Sequence, residues 1–127
     1  MKFLLDTHTL IWWLANDKTL SEKAKEVITN PDNIIFVSAA SAWKTAIKKQ
    51  IGKLNAPDDL EAQIEQKDFH SLSISINISH AVSIEKLPLH HHDPFDRIII
   101  AQAVCEKMKI ISRDKKFDAY PVDVIKS

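Results

Sequence analysis

Three acidic residues stand where a carboxylate is an unusual way to end or begin an element. Asp6 closes the apolar run Lys2-Phe3-Leu4-Leu5. Asp96 falls in the first turn of a long apolar helix opened by Asp93-Pro94, and Asp114 follows Lys109-Ile110-Ile111 by way of Ser112 and Arg113. Carboxylates gathered in a partly desolvated cleft repel one another, and a shared cation is the usual remedy. Oxygen-only ligands select Mg2+ or Mn2+, and such an ion can generate hydroxide and stabilise charge developing on a phosphoryl oxygen. Singly, each acid also has a plain structural use. Asp6 can cap a following helix with Thr7 or Thr9 assisting, Asp96 can favour a helix dipole by about 0.3–1 kcal/mol, and Asp114 can open a turn. The chemical reading rests on their meeting.

Whether they meet depends on the elements that carry them. Lys2–Leu5 reads as a strand, with helices from about Thr9 to Ala15 and over Ser21–Thr29, the latter capped by Ser21. Turn chemistry at Asn30-Pro31-Asp32-Asn33 leads into Ile34–Val37, a continuous apolar run expected of a strand covered on both faces. Ser38 caps a helix to about Gln50, with Ala39, Ala42, Trp43, Ala46, Ile47 and Ile51 at helical spacing and Gly52 as its C-terminal stop. Asp58–Gln66 reads as a helix, Ser71–Ile76 as a short strand, Ser79–Leu87 as helical, and Val122–Ile125 as a last strand. The clearest helix is DPFDRIIIAQAVCEKM, with Asp93 as cap and Pro94 at its first position. Strand and helix alternating in this way predict a three-layer α/β/α fold around a mostly parallel sheet. Ligands of such sheets bind beyond the carboxyl ends of the strands, where Asp6 and Asp114 fall and where the start of the Asp93 helix can also lie.

The totals narrow the possibilities. A chain of 127 residues is expected to form one domain, 1–127. Its 17 basic and 17 acidic residues cancel, so no global field points to a nucleic acid or a membrane. A single glycine argues against a Gly-rich phosphate cradle, and a single cysteine against disulfides or a Cys-based zinc site. The first apolar stretch is broken by Asp6 and is not a signal peptide, and no run is long enough to span a bilayer, so a cytoplasmic location is expected.

Some features are weighed down by simpler readings. His90-His91-His92 invites zinc, but consecutive loop residues rarely converge on one ion. Arg113, Lys115 and Lys116 next to Asp114 could guide a phosphate backbone, though most such clusters are solvated faces. Adjacent Trp12 and Trp13 cannot both point in the same core direction, so either one reaches an interface or both pack under neighbouring helices; His8 is a helix-start residue within reach of substrate. A phosphohydrolase with Asp6 as nucleophile needs a second acid two residues on, where His8 stands instead.

LLDTH, SAASAW, HHDPFDRIIIAQA and SRDKKF, in that order along nearly the whole chain, resemble PIN-domain ribonucleases and, more closely, the VapC-type toxins of toxin–antitoxin pairs. The resemblance implies a PIN-like α/β/α fold and metal-dependent hydrolysis of RNA, with Asp6, Asp96 and Asp114 holding Mg2+ or Mn2+. Around them it sets Thr7, Ser41, Asp93, Arg97 and Asp118 as supporting or substrate-contacting residues, Asp93 chiefly as the helix cap. It also implies a cognate antitoxin, an RNA substrate such as tRNA or mRNA, a homodimer, operator DNA bound only through the antitoxin, and no membrane. The antitoxin is expected in an apolar groove near Trp12, Trp13 and the Ser21–Thr29 helix. One position departs from the pattern: where the family motif SxWE carries its fourth acid, this chain has Lys44. With Trp43 directed to the core, the Lys44 ammonium is expected to enter the acidic site, pair with Asp6 or Asp96, and weaken metal binding. The alternative is a catalytically disabled module of the same fold that still engages its antitoxin.

Overall fold

The computed structural model describes residues 1–53, 60–66, 71–89 and 93–127. Among these residues five strands, β1 (Lys2–Leu5), β2 (Ile34–Ser38), β3 (Ser71–Ile74), β4 (Lys109–Ile111) and β5 (Val124–Ile125), form one sheet in the order β3-β2-β1-β4-β5, parallel at every pairing. The first strand is therefore central. Leu5 is in register with Val37 on one side and Ile111 on the other, so the three strands end at one level.

Among the described residues six helices cover the sheet: α1 (Thr7–Leu14), α2 (Glu22–Thr29), α3 (Ala39–Gln50), α4 (Leu60–Gln66), α5 (Ile78–Ser83) and α6 (Pro94–Glu106). Alternation along β1 divides the core in two. Phe3 and Leu5 join Ile35, Val37 and Ile111 against Leu10 of α1, Ala24 and Ile28 of α2, and Ile64 of α4. Leu4 points the other way and joins Ile110 against Ala40 of α3, Ile98 to Ile100 of α6, Phe117 and Tyr120. Each buried Val, Leu, Ile or Phe among them contributes roughly 1.5–3 kcal/mol. The layers are α/β/α, as the alternation predicts. Among the described residues no helix is long and apolar enough to cross a membrane.

Several boundaries differ from the sequence expectation for local reasons. Helix α1 starts at Thr7, because Asp6 caps it by accepting the Thr9 amide at 2.8 Å. The segment expected as one helix to Leu87 divides into α5 and a 3-10 turn, Ile84–Lys86. Asn77 caps α5 in a reciprocal box with His80, which starts the helix one residue early. Strands β3 and β5 are shorter than expected, and residues 58 and 59 of the expected helix before Gln66 lie outside the described residues, as does the His90–His92 cluster. Gly52, at φ +74°, follows α3 as the expected left-handed stop.

The larger correction concerns α3. Its buried positions are Ala40, Ser41 and Thr45, whereas Trp43 is 58% exposed. Small side chains let α3 lie close to α1 and α6, and a close approach leaves no room for an indole. Trp43 is displaced to the flank, edge-on to Phe95 of α6 with ring centroids 4.9 Å apart. The periodic apolar residues of α3 thus form a surface rather than the core.

Candidate active site

Asp6 begins where β1 ends. Its amide donates to the Ile111 carbonyl at 3.2 Å, continuing the β1–β4 ladder by one step, and the Thr9 hydroxyl donates to the same carbonyl at 3.0 Å. One Asp6 carboxylate oxygen caps α1; the other accepts the Ser112 hydroxyl. Ser112 also accepts the Asp114 amide at 3.0 Å. A single buried hydroxyl therefore joins the two acids. Asp114 in turn accepts the Lys116 amide at 2.9 Å and caps the 3-10 turn Lys115–Ala119. The two carboxylates share a depression of about 240 Å³ with His8, Trp12 and Arg113.

Asp96 lies at the start of α6 in different company. Lys44 of α3 reaches across, its ammonium 3.3 Å from Asp93 and 3.6 Å from Asp96. Asp93 caps α6 through the Phe95 and Asp96 amides at 2.9 and 3.1 Å. Burial opposes ionisation of Asp93, but the Asp96 amide, the Lys44 charge and hydrogen bond, and the Phe95 amide outweigh it. The carboxyl is held below its ordinary value. The Lys44 chain also passes the Phe95 ring, with Nζ 5.9 Å from its centroid. The expected partner of Lys44 was Asp6 or Asp96; it takes Asp96 and, more closely, Asp93, because both acids sit on the first turn of the helix packed against α3.

Asp6 and Asp114 are thus brought together, while Asp96 is drawn to an ammonium. Among the described residues no group of three His, Cys, Asp or Glu side chains is arranged to hold a metal ion. Asp6 and Asp114, which line one depression, suit a hard divalent cation.

The supporting residues fall into distinct places. Thr7 and Ser41, both buried, meet through their hydroxyls at 3.4 Å and join α1 to α3. Arg97 is buried and donates to the carbonyls of Pro88 and Ile84 at 2.9 and 3.2 Å and to the Tyr120 hydroxyl at 3.2 Å. It holds the 3-10 turn Ile84–Lys86 against α6. Asp118 is exposed in the Lys115–Ala119 turn. Sequence reasoning passed over Ser112, took Thr9 only as an aid to the Asp6 cap, and passed over Gln102. Gln102 is fully buried in α6, accepting from the Ser38 hydroxyl and donating to the Ser75 carbonyl. A small hydroxyl two residues before an acid, and a glutamine in an otherwise apolar helix, are the signals that could have marked the first and last of these.

Comparison with known proteins completes the picture. The PIN domain family matches residues 3–123. The chain is 26% identical over 118 residues to "Ribonuclease VapC22" of Mycobacterium tuberculosis, covering 92% of this chain and 90% of that protein. Its fold is similar to that in a crystal structure of VapBC2 from Rickettsia felis bound to a DNA fragment from its promoter, with a TM-score of 0.74, 13% identity, and 99% and 98% of the two chains covered. It is also similar to VapBC-5, a member of the VapBC toxin–antitoxin family from Mycobacterium tuberculosis, with a TM-score of 0.59, 18% identity and the same coverage.

Proposed function

The chain belongs to the PIN domain family, and from that premise we propose that it is a VapC-type endoribonuclease toxin of a toxin–antitoxin pair, hydrolysing RNA phosphodiester bonds with Mg2+ or Mn2+ and attenuated by Lys44. The observation that carries the reading is the Ser112 hydroxyl joining Asp6 and Asp114 at the carboxyl ends of β1 and β4. Asp6 and Asp114 would hold a divalent cation there, which would supply hydroxide and charge stabilisation at a phosphoryl oxygen. The chain's own contribution is orientation: Ser112 and the Thr9 amide fix both Asp6 oxygens, and the Lys116 amide fixes one of Asp114.

The partners follow from what the surface offers. An antitoxin segment is proposed at the α1–α2 face, where Trp12 and Trp13 are both half-buried, with operator DNA reached only through that antitoxin. A homodimer is supported by a separate apolar face. Trp43, Ile76, Ile84, Pro94, Phe95 and Ile98 line a second depression of about 240 Å³, and Ile78 and Val82 are exposed beside it. These properties suit a protein of the cytoplasm.

The Lys44 contacts favour a second reading, a module that binds its antitoxin without cutting RNA. Initial rates of Mn2+-dependent cleavage of a mixed unpaired RNA separate the two. The chain is expected to cut slowly, Asp114→Asn not at all, and Lys44→Glu at least tenfold faster, about 1.4 kcal/mol in the transition state. No cleavage even by Lys44→Glu selects the binding module. Robust cleavage that survives Asp114→Asn overturns the proposed site.

A further inference from the structure

Asp6 and Asp114 form only one wall of their depression; His8, Trp12 and Arg113 form the rest. His8 and Trp12 lie one helical turn apart on α1, their ring centroids 5.9 Å apart and their planes tilted by 39°. The Arg113 guanidinium lies over the indole, 4.7 Å from its centroid. It is held there by the carbonyls of Ser127, at 2.9 Å, and Thr19. Indole and guanidinium are therefore fixed in place before any ligand arrives, which lowers the cost of ordering them on binding.

Flat π-bearing groups beside a positive charge are what a nucleotide base and its phosphate require. Aromatic rings and guanidinium planes accept a splayed-out base by stacking, and the face of any base will do. A volume of about 240 Å³ falls below the roughly 300–1,000 Å³ of pockets for drug-sized ligands, so a single ring system is the scale of occupant. We propose that His8, Trp12 and Arg113 form a stacking subsite for one unpaired nucleobase adjoining the phosphodiester presented to Asp6 and Asp114. A base inside a duplex has both faces covered by its neighbours, so the subsite takes only an unpaired one. The inference rests on the ribonuclease reading and adds a specificity element to it.

The test is binding of a short labelled unstructured RNA to the full chain in EDTA, read by fluorescence anisotropy, with Mn2+-dependent cleavage measured separately. Trp12→Leu is expected to weaken binding about tenfold, at the lower end of base–aromatic stacking effects, and Trp12→Phe to retain most of the affinity. His8 is exposed, so His8→Ala leaves the fold intact and is expected to give a smaller loss in the same direction. The same RNA annealed to its complement should bind as weakly as the single strand binds Trp12→Leu. An abasic site moved along the RNA should find one position that reproduces the Trp12→Leu loss and makes that substitution silent. Unchanged RNA affinity in both Trp12→Leu and His8→Ala, or duplex bound as tightly as single strand, overturns the subsite. If Mn2+-dependent cleavage persists in that case, the ribonuclease reading stands without it. If RNA is neither bound nor cut, both fall.

Discussion

The two acidic corners of this protein are satisfied by opposite means. At the ends of β1 and β4, Asp6 and Asp114 receive neutral donors: two backbone amides and one serine hydroxyl. Where α3 meets α6, Asp93 and Asp96 receive the charge of Lys44. Neutral donors orient a carboxylate and leave its charge available to a ligand; an ammonium cancels it. An ion pair near 4 Å is worth about 4 kcal/mol at an effective dielectric of about 20, before desolvation is subtracted. A divalent cation arriving at Asp96 must displace that interaction, and Lys44 is covalently tethered beside it. One corner is open to chemistry and the other is closed by the chain itself.

Removing the cation breaks the contrast most severely. Lys44→Met removes the ammonium that Asp93 and Asp96 share. Breaking a buried ion pair on one side costs about 3–5 kcal/mol; with Asp93 about one-third exposed, we expect about 2–3 kcal/mol. Urea unfolding measures the loss, and Mn2+ should recover part of it by occupying the vacated charge. Stability unchanged by the substitution would show that Lys44 does not hold the corner.

Ser112→Ala tests the other corner, with an expected loss of about 1–2 kcal/mol because the buried Asp6 carboxylate loses a donor. Combined with Lys44→Met, the two losses should add to within about 0.5 kcal/mol, as for sites without shared partners. Strong coupling between them would mean that the corners are one network.

The smallest effect is in acid. Asp93 is held below its ordinary value, so its contribution is present above the ordinary carboxylate range and is lost as pH falls through the lowered one. Asp93→Asn should flatten the fall in urea midpoint between about pH 5 and pH 2. Parallel falls in the two proteins would remove Asp93 from the account.

Much of the frame was legible because periodicity and capping chemistry are local. Asp93-Pro94 before an apolar run marks α6 with its cap, and apolar runs ended by Asp6 and by Ser112-Arg113-Asp114 mark two adjacent parallel strands and their chemically useful ends. What was not legible depends on distance of approach. The apolar stripe of α3 predicts a buried Trp43, but close packing selected the small residues Ala40, Ser41 and Thr45 for the interior. Likewise, Lys44 has a closer partner in Asp93 because two helices cross there, and no spacing within either helix contains that fact. Ser112 is a plain strand-end serine until Asp6 lies beside it.

The central position of β1 has a consequence for synthesis. Asp6 leaves the ribosome well before its Ser112 partner, which follows 106 positions later. At about 5–20 residues per second, the two are separated by about 5–20 s. Until β4 has emerged and inserted beside β1, the nascent chain has neither the Asp6–Ser112–Asp114 linkage nor the β1–β4 half of the sheet. A topology that seats β1 between β2 and β4 thus delays assembly of the site until β4 has been translated.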